Sequence, residues 1–188
     1  MVRSGELALS EEQVRQVLNA TERQRDYHLL KLAVLTGMRR SDVVRVKWDN
    51  IDFESNMVTY KEKKKGDTPH QAYLPNSYVG ELKRFQGTDE TNNIYVVDGG
   101  CDKKYGQGHM SNRHAWNIFE SACKKAGVES RKFHALRSTC IKLCQKRGWS
   151  MEATAEHVND QIETVKRHYL APTREEMREY AEENPIIT

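Results

Sequence analysis

The sequence predicts a mainly α-helical α+β domain with a small antiparallel β-sheet. Apolar residues recur at helical spacing over most of the chain, between recognisable cap and stop residues. Only around residues 51–75 does the pattern change, to short β-branched and aromatic segments joined by a turn. A length of 188 residues suits one domain with a substantial core.

Ser10 and Gln13 form a capping-box pair ahead of Val14, Val17 and Leu18, and Leu9 is placed to staple the entry. A second helix is predicted over "RDYHLLKLAVLTG", with Gly37 as its C-cap. Ser41 is expected to cap a short helix, "DVVRVKW". "NIDF", "MVTYKEK" and "QAYLPN" then supply the sheet, the last two joined by the turn "KKKGDTPH". Helix resumes at "SYVGELKRFQ". A short strand, "NIYVVD", is predicted before a Gly-rich loop, "DGGCDKKYGQG". "SNRHAWNIFESACKKAG" reads as a helix capped by Ser111 and stopped by Gly127. From His134 the pattern gives a helix, a break at Gly148 and a helix from Ser150. An Asp160–Glu163 capping box should then open a helix running to Tyr169, with Pro172 as its stop. Thr173 and Glu176 cap a final helix, on which Met177, Tyr180 and Ala181 form one apolar stripe.

Composition narrows the function classes. An apolar fraction of 37% with 30% charged residues fits a globular chain rather than a disordered one. No apolar run approaches the roughly 20 residues that span a bilayer, and "MVRSGELALS" lacks the apolar core of a signal peptide. A cytoplasmic protein is expected. The four cysteines, 101, 123, 140 and 144, form no C-x-x-C pair and have no histidines at ligand spacing, so reduced thiols and no metal are expected. The net charge is only +3, but it is segregated. Residues 124–150 hold eight lysines and arginines against one acid, whereas "TREEMREYAEEN" holds five glutamates against two arginines. A basic face of this kind suits a polyanion.

Three motifs carry the chemistry: "LTGMRRSDVVRVKWDNID", "HALRST" and "IETVKRHYLAP". In that order, with a basic hairpin between the first and second, they resemble the arginine, His-x-x-Arg and tyrosine motifs of the tyrosine recombinases, or phage integrases. The resemblance covers nearly the whole chain. It implies the catalytic-domain fold of that family and cleavage and rejoining of double-stranded DNA through a covalent phosphotyrosine. It also implies assembly of four protomers on DNA, with no cofactor, and a free chain is compatible with a monomer. Residues 8–172 would form the core and 173–188 a C-terminal helix and tail that docks on a neighbouring subunit or folds back. The N-terminal DNA-clamping domain of such recombinases would be absent.

Each role has a physical rationale. Two guanidiniums, Arg39 and Arg137, suit the extra negative charge on a phosphodiester under attack, being permanently charged, planar and able to donate paired hydrogen bonds. Arg40 is read as a surface or phosphate-backbone contact. His134, one helical turn before Arg137, can give or take a proton near neutral pH. A hairpin lysine would protonate the departing 5′ oxygen, with Lys65 the first choice and Lys64 or Lys63 the alternatives. Tyr169 would be the nucleophile, a phenol of ordinary pKa about 10 that needs cationic help.

Where many relatives have Gly-His or Gly-Trp before the tyrosine, a gapless comparison puts Val158 and Asn159. Asn159 can donate a hydrogen bond there but carries no proton charge, and His157 substitutes only after a local shift. Two related readings follow, a catalytically weakened DNA-binding relative and a tyrosine-dependent nicking topoisomerase.

Overall fold

In the computed structural model, the described residues are 7–62, 66, 68–88, 94–102, 106–167 and 174–185. The chain opens as its capping box predicts. The Ser10 hydroxyl accepts from the Gln13 N–H while the Gln13 side chain accepts from the Ser10 N–H, and helix α1 runs over Glu11–Asn19. Helix α2, Gln24–Thr36, is the central apolar element, with Leu29, Leu30, Leu32 and Ala33 fully buried. Complete burial of each leucine is worth roughly 1.5–3 kcal/mol.

Helix α3 spans Arg40–Val43, and its N-cap is Arg39 rather than the expected Ser41. The Arg39 carbonyl already accepts from the N–H groups of Asp42 and Val43, so the helix starts before Ser41, whose hydroxyl donates to the Asp42 carboxylate. A three-residue 3₁₀ turn, Trp48–Asn50, then leads into the predicted sheet. Its strands are β1, Ile51–Asp52, β2, Met57–Glu62, and β3, Thr68–Tyr73, antiparallel and in the order β1-β2-β3. Register is set at Val58↔Ala72 and Tyr60↔His70 and closes at Glu62↔Thr68. Val58, Tyr60 and Glu62 alternate inward, so the buried face of β2 ends on a carboxylate.

Helix α4, Asn76–Gln86, packs Tyr78, Leu82 and Phe85 inward. The Gly-rich stretch is not a loop: β4, Asp98–Asp102, and β5, Gly106–His109, form an antiparallel hairpin. Gly99 makes it possible, since a Cβ there would lie 2.6 Å from the His109 carbonyl oxygen. The predicted strand "NIYVVD" is reduced to a bridge between Lys47 and Tyr95.

The remaining helices are α5, Asn112–Lys125, α6, Ala135–Lys146, α7, Met151–Val158, α8, Ile162–Val165, and α9, Arg174–Glu183. Ser111 and Ser150 cap α5 and α7 as expected, and Gly127 and Gly148 take positive φ at the ends of α5 and α6. The Asp160–Glu163 capping box does not form. Gln161 is the N-cap of α8, residues 166–167 continue from it as a π turn, and the expected end at Tyr169 lies outside the described residues. Asp160 is engaged elsewhere, as described below. A main core joins α1–α6 to the sheet, and a satellite cluster of Cys140, Ile141, Cys144, Ala155, Val158 and Val165 joins α6 to α7 and α8. Among the described residues, no helix is long and apolar enough to cross a membrane.

Candidate active site

The end of α2 is the pivot of the site. Gly37 closes the helix at φ 64, and a Cβ there would lie 2.7 Å from Val158 Cγ1. Both facts require glycine, the first because L-residues resist positive φ and the second because α7 packs directly on this backbone. The Gly37 carbonyl accepts from Arg137 Nη1 at 2.8 Å, so two motifs 100 residues apart meet here.

Arg137 lies on α6 with only 1% of its side chain exposed. Its Nη2 donates to Asp160 Oδ2 at 2.7 Å, a charge-assisted bond to a carboxylate that is itself 13% exposed. Burial alone would raise the Asp160 pKa. The hydrogen bond and charge of Arg137 outweigh it and hold the carboxyl below the usual carboxylate range. The other oxygen, Oδ1, accepts from the Gln161 N–H, which leaves Asp160 committed to the turn between α7 and α8.

The side chain that this turn gives to Arg137 is that of Asp160. Asn159, the sequence candidate, is the C-cap of α7 with φ 53, the backbone conformation usually given to glycine. His157, the alternative, is buried. Its Nε2 donates to the Leu35 carbonyl at 2.8 Å and its ring packs edge-on against Trp149. Burial lowers its pKa, against the opposing effect of the bond to Leu35.

Arg39 approaches from the start of α3. Its side chain is 21% exposed, and Nη1 is in ion-pair contact with the fully buried Glu62 at the end of β2, off hydrogen-bond alignment. Close by lie Asp42, paired with Arg45 at 3.0 Å, and the buried Tyr60 phenol. The Tyr60 pKa is raised well above the ordinary value, first by burial and then by the negative charge of Glu62, with Arg137 and Arg39 opposing.

A groove of about 780 Å³ beside Arg39 is lined by Met38, Arg39, Arg40, Ser41, Trp116, Lys132 and His134 among others. His134, the N-cap of α6, is exposed, whereas Arg137 is buried and is not among the residues lining the groove. Arg40 lines the same groove as Arg39. Lys63, Lys64, Lys65 and Tyr169 lie outside the described residues.

Sequence reasoning missed Glu62, Asp160 and Lys132. A charged residue on the buried side of the β2 alternation was the available signal for Glu62. For Asp160 there was no local signal, since its partner Arg137 lies 23 residues away in sequence.

The family model described as the phage integrase family matches residues 8–176. The chain is 28% identical over 141 residues to the tyrosine recombinase XerA of Saccharolobus solfataricus, covering 75% of this chain and 44% of that protein. Among solved structures it resembles the XerA recombinase, with a TM-score of 0.72 at 17% identity, covering 95% of this chain and 65% of that one. It also resembles a lambda integrase tetramer bound to a Holliday junction, with a TM-score of 0.65 at 17% identity, covering 93% and 51%. The chain therefore spans less than two thirds of the length of each of these proteins. With the family model matching nearly from end to end and the same fold in these structures, the chain belongs to the phage integrase family.

Proposed function

We propose that this chain is the catalytic part of a site-specific recombinase that cleaves and rejoins double-stranded DNA through a phosphotyrosine intermediate. The observation that supports the reading is that Arg39 and His134 line one groove while Arg137 is bonded to the carbonyl of Gly37, two residues before Arg39. In the proposed reaction the Tyr169 oxygen attacks phosphorus and loses its proton to a base. The 5′ oxygen departs with a proton from a hairpin lysine, Lys65 first among Lys63 to Lys65. Arg39, Arg137 and His134 stabilise the pentacoordinate phosphorus, Asn159 donates a hydrogen bond to a phosphate oxygen, and Asp160 holds Arg137 in place. Attack of the freed 5′ hydroxyl on the phosphotyrosine reverses the step. The covalent bond conserves the phosphodiester energy, so rejoining requires no nucleotide hydrolysis.

Support for a DNA partner also comes from the positive groove and from the lambda integrase complex with a Holliday junction. Assembly as a tetramer on DNA is part of the proposal. In the single chain Met177 and Tyr180 of α9 stand exposed, which suits docking on a neighbouring protomer. The proposed location is the cytoplasm, at the nucleoid.

The test uses a pool of nicked duplexes randomised around the break, so that cleavage releases a short fragment and traps the enzyme. A denaturant-resistant protein–DNA adduct should form with the wild-type chain and disappear with Tyr169→Phe. An adduct that persists in that variant, or no adduct with any duplex in the pool, would refute the proposal.

A further inference from the structure

We infer that Glu62 is a positioning residue that fixes the orientation of the Arg39 guanidinium, an inference that rests on the role proposed above for Arg39. The two residues come from different elements, Arg39 from the N-cap of α3 and Glu62 from the last position of β2. Arg39 has an extended backbone with φ −68 and ψ 151, and no side-chain cap bond ties it to its own helix. A long side chain at such a place has several rotamers to choose from. One specific contact limits that choice, the ion pair of Nη1 with Glu62.

Glu62 is built for this task and for little else visible in the structure. It is fully buried, and among the described residues neither carboxylate oxygen has a hydrogen bond, so its charge is answered by Arg39 alone in the direct contacts. Buried carboxylates are costly unless paired, so a strand ending in one on its apolar face calls for an explanation. The surroundings point the same way. Tyr60, two residues earlier on the same face, has a buried hydroxyl without a hydrogen bond, and Asp42 Oδ2 on α3 is in the same condition. These groups hold the pair in a low-dielectric setting where its orientation is strongly enforced.

The geometry favours positioning over competition with the substrate. A carboxylate that blocked the phosphate site would stand in the groove, on the solvent side of the arginine. Here the carboxylate is fully buried, the guanidinium is partly exposed, and it is Arg39 that lines the groove. The buried Nη1 faces inward to Glu62, so the ion pair aims the remainder of the fork outward.

The experiment reads guanidinium motion directly, by NMR of the arginine side chains with Arg39→Lys to assign the signal, and so does not depend on recombinase activity. Arg39 in the wild-type chain should show slow rotation about its terminal C–N bonds, and Glu62→Gln should make it fast. A wild-type Arg39 that already rotates freely, or one that stays slow in Glu62→Gln, would overturn the inference. If Glu62→Gln does not give a folded spectrum, Glu62→Asp, which withdraws the same charge by one methylene, should release the guanidinium instead, and failure to do so is equally decisive.

A second arm measures adduct formation at saturating DNA from the nicked-duplex pool. Glu62→Gln should slow it about 10- to 100-fold, the scale expected of a misplaced catalytic group, while salt-dependent DNA retention changes less than twofold. Combined with Arg39→Ala, it should add no further loss, whereas multiplication of the two losses would refute the assignment. Loss of motional restraint with no adduct in any variant, wild type included, would leave Glu62 as the anchor of Arg39 and sink only the recombinase reading.

Discussion

Replacing Asp160 by alanine removes one carboxylate from a guanidinium that has almost no access to water. Arg137 is 1% exposed and also donates to the Gly37 carbonyl at 2.8 Å. Breaking a buried ion pair from one side costs about 3–5 kcal/mol, because the surviving charge stays desolvated. Asp160 is itself 13% exposed, so water can enter the vacated space, which places the expected loss near the lower bound, about 3 kcal/mol. The Gln161 N–H loses its acceptor as well, but at the surface, where water replaces it. Urea unfolding of wild type and Asp160→Ala at pH 7 measures the difference. The pH dependence supplies an independent check. The Asp160 pKa is depressed in the folded chain, so its contribution is full above the unfolded value near 4 and fades as pH falls through the folded value. The wild-type curve should therefore converge on the Asp160→Asn curve in acid. A loss below about 1 kcal/mol, the level of an exposed pair, or a gap that persists in acid, would refute the claim that Asp160 holds Arg137.

Other perturbations probe separate parts of the fold. Gly37→Ala meets both a left-handed backbone and a Val158 methyl at 2.7 Å, so unfolding should show a loss of about 2–4 kcal/mol; a loss under 1 kcal/mol would mean that α7 does not pack on this turn. His28 is buried and stacked on Phe85 with ring centroids 4.3 Å apart, and its pKa is lowered to about 4, chiefly by burial. The unfolded chain then binds the proton first, so stability should fall as pH drops from about 6.5 toward 4, by on the order of 3 kcal/mol from this group. His28→Gln should flatten that limb, and an unchanged limb would assign it to other groups. Lys132→Ala, on the groove wall, should reduce the salt dependence of DNA retention by about one counterion; an unchanged slope would place the DNA elsewhere.

Much of the architecture was legible because it is written in local chemistry. The capping box of α1, the glycine at the end of α2 and the alternation of β2 each occupy a few consecutive residues whose physics does not depend on the rest of the chain. What escaped was long-range. The β4–β5 hairpin reads as a loop because glycine has low strand propensity, and the reason for Gly99, close approach of the His109 backbone, exists only once the strands are paired. Ser41 looks like a cap, but the turn had already begun at the Arg39 carbonyl. The motif positions of Arg39, His134 and Arg137 were visible, while the carboxylates behind the arginines were not. Asp160 has the sequence signature of a helix cap. It is drawn away from that role by a buried guanidinium 23 residues distant in sequence, a competition no local rule can anticipate.

Those carboxylates change how the groove must work. Each guanidinium is paired, Arg39 with Glu62 and Arg137 with Asp160, so the two pairs together bring no net charge to an arriving phosphate. Distance decides the outcome. At an effective dielectric of about 20, a guanidinium about 4 Å from a phosphate attracts it by roughly 4 kcal/mol, and a carboxylate behind it at about 8 Å repels by roughly 2 kcal/mol. The pair retains about half of the attraction and gains a fixed direction, which suits charge that develops at one place in a transition state. In the proposed function, long-range attraction of DNA then falls to cations outside the pairs, for which Arg40, Arg113 and Lys132 on the groove lining are the candidates. Removing them should weaken encounter with DNA, whereas loosening the buried pairs should slow the chemistry on DNA already bound.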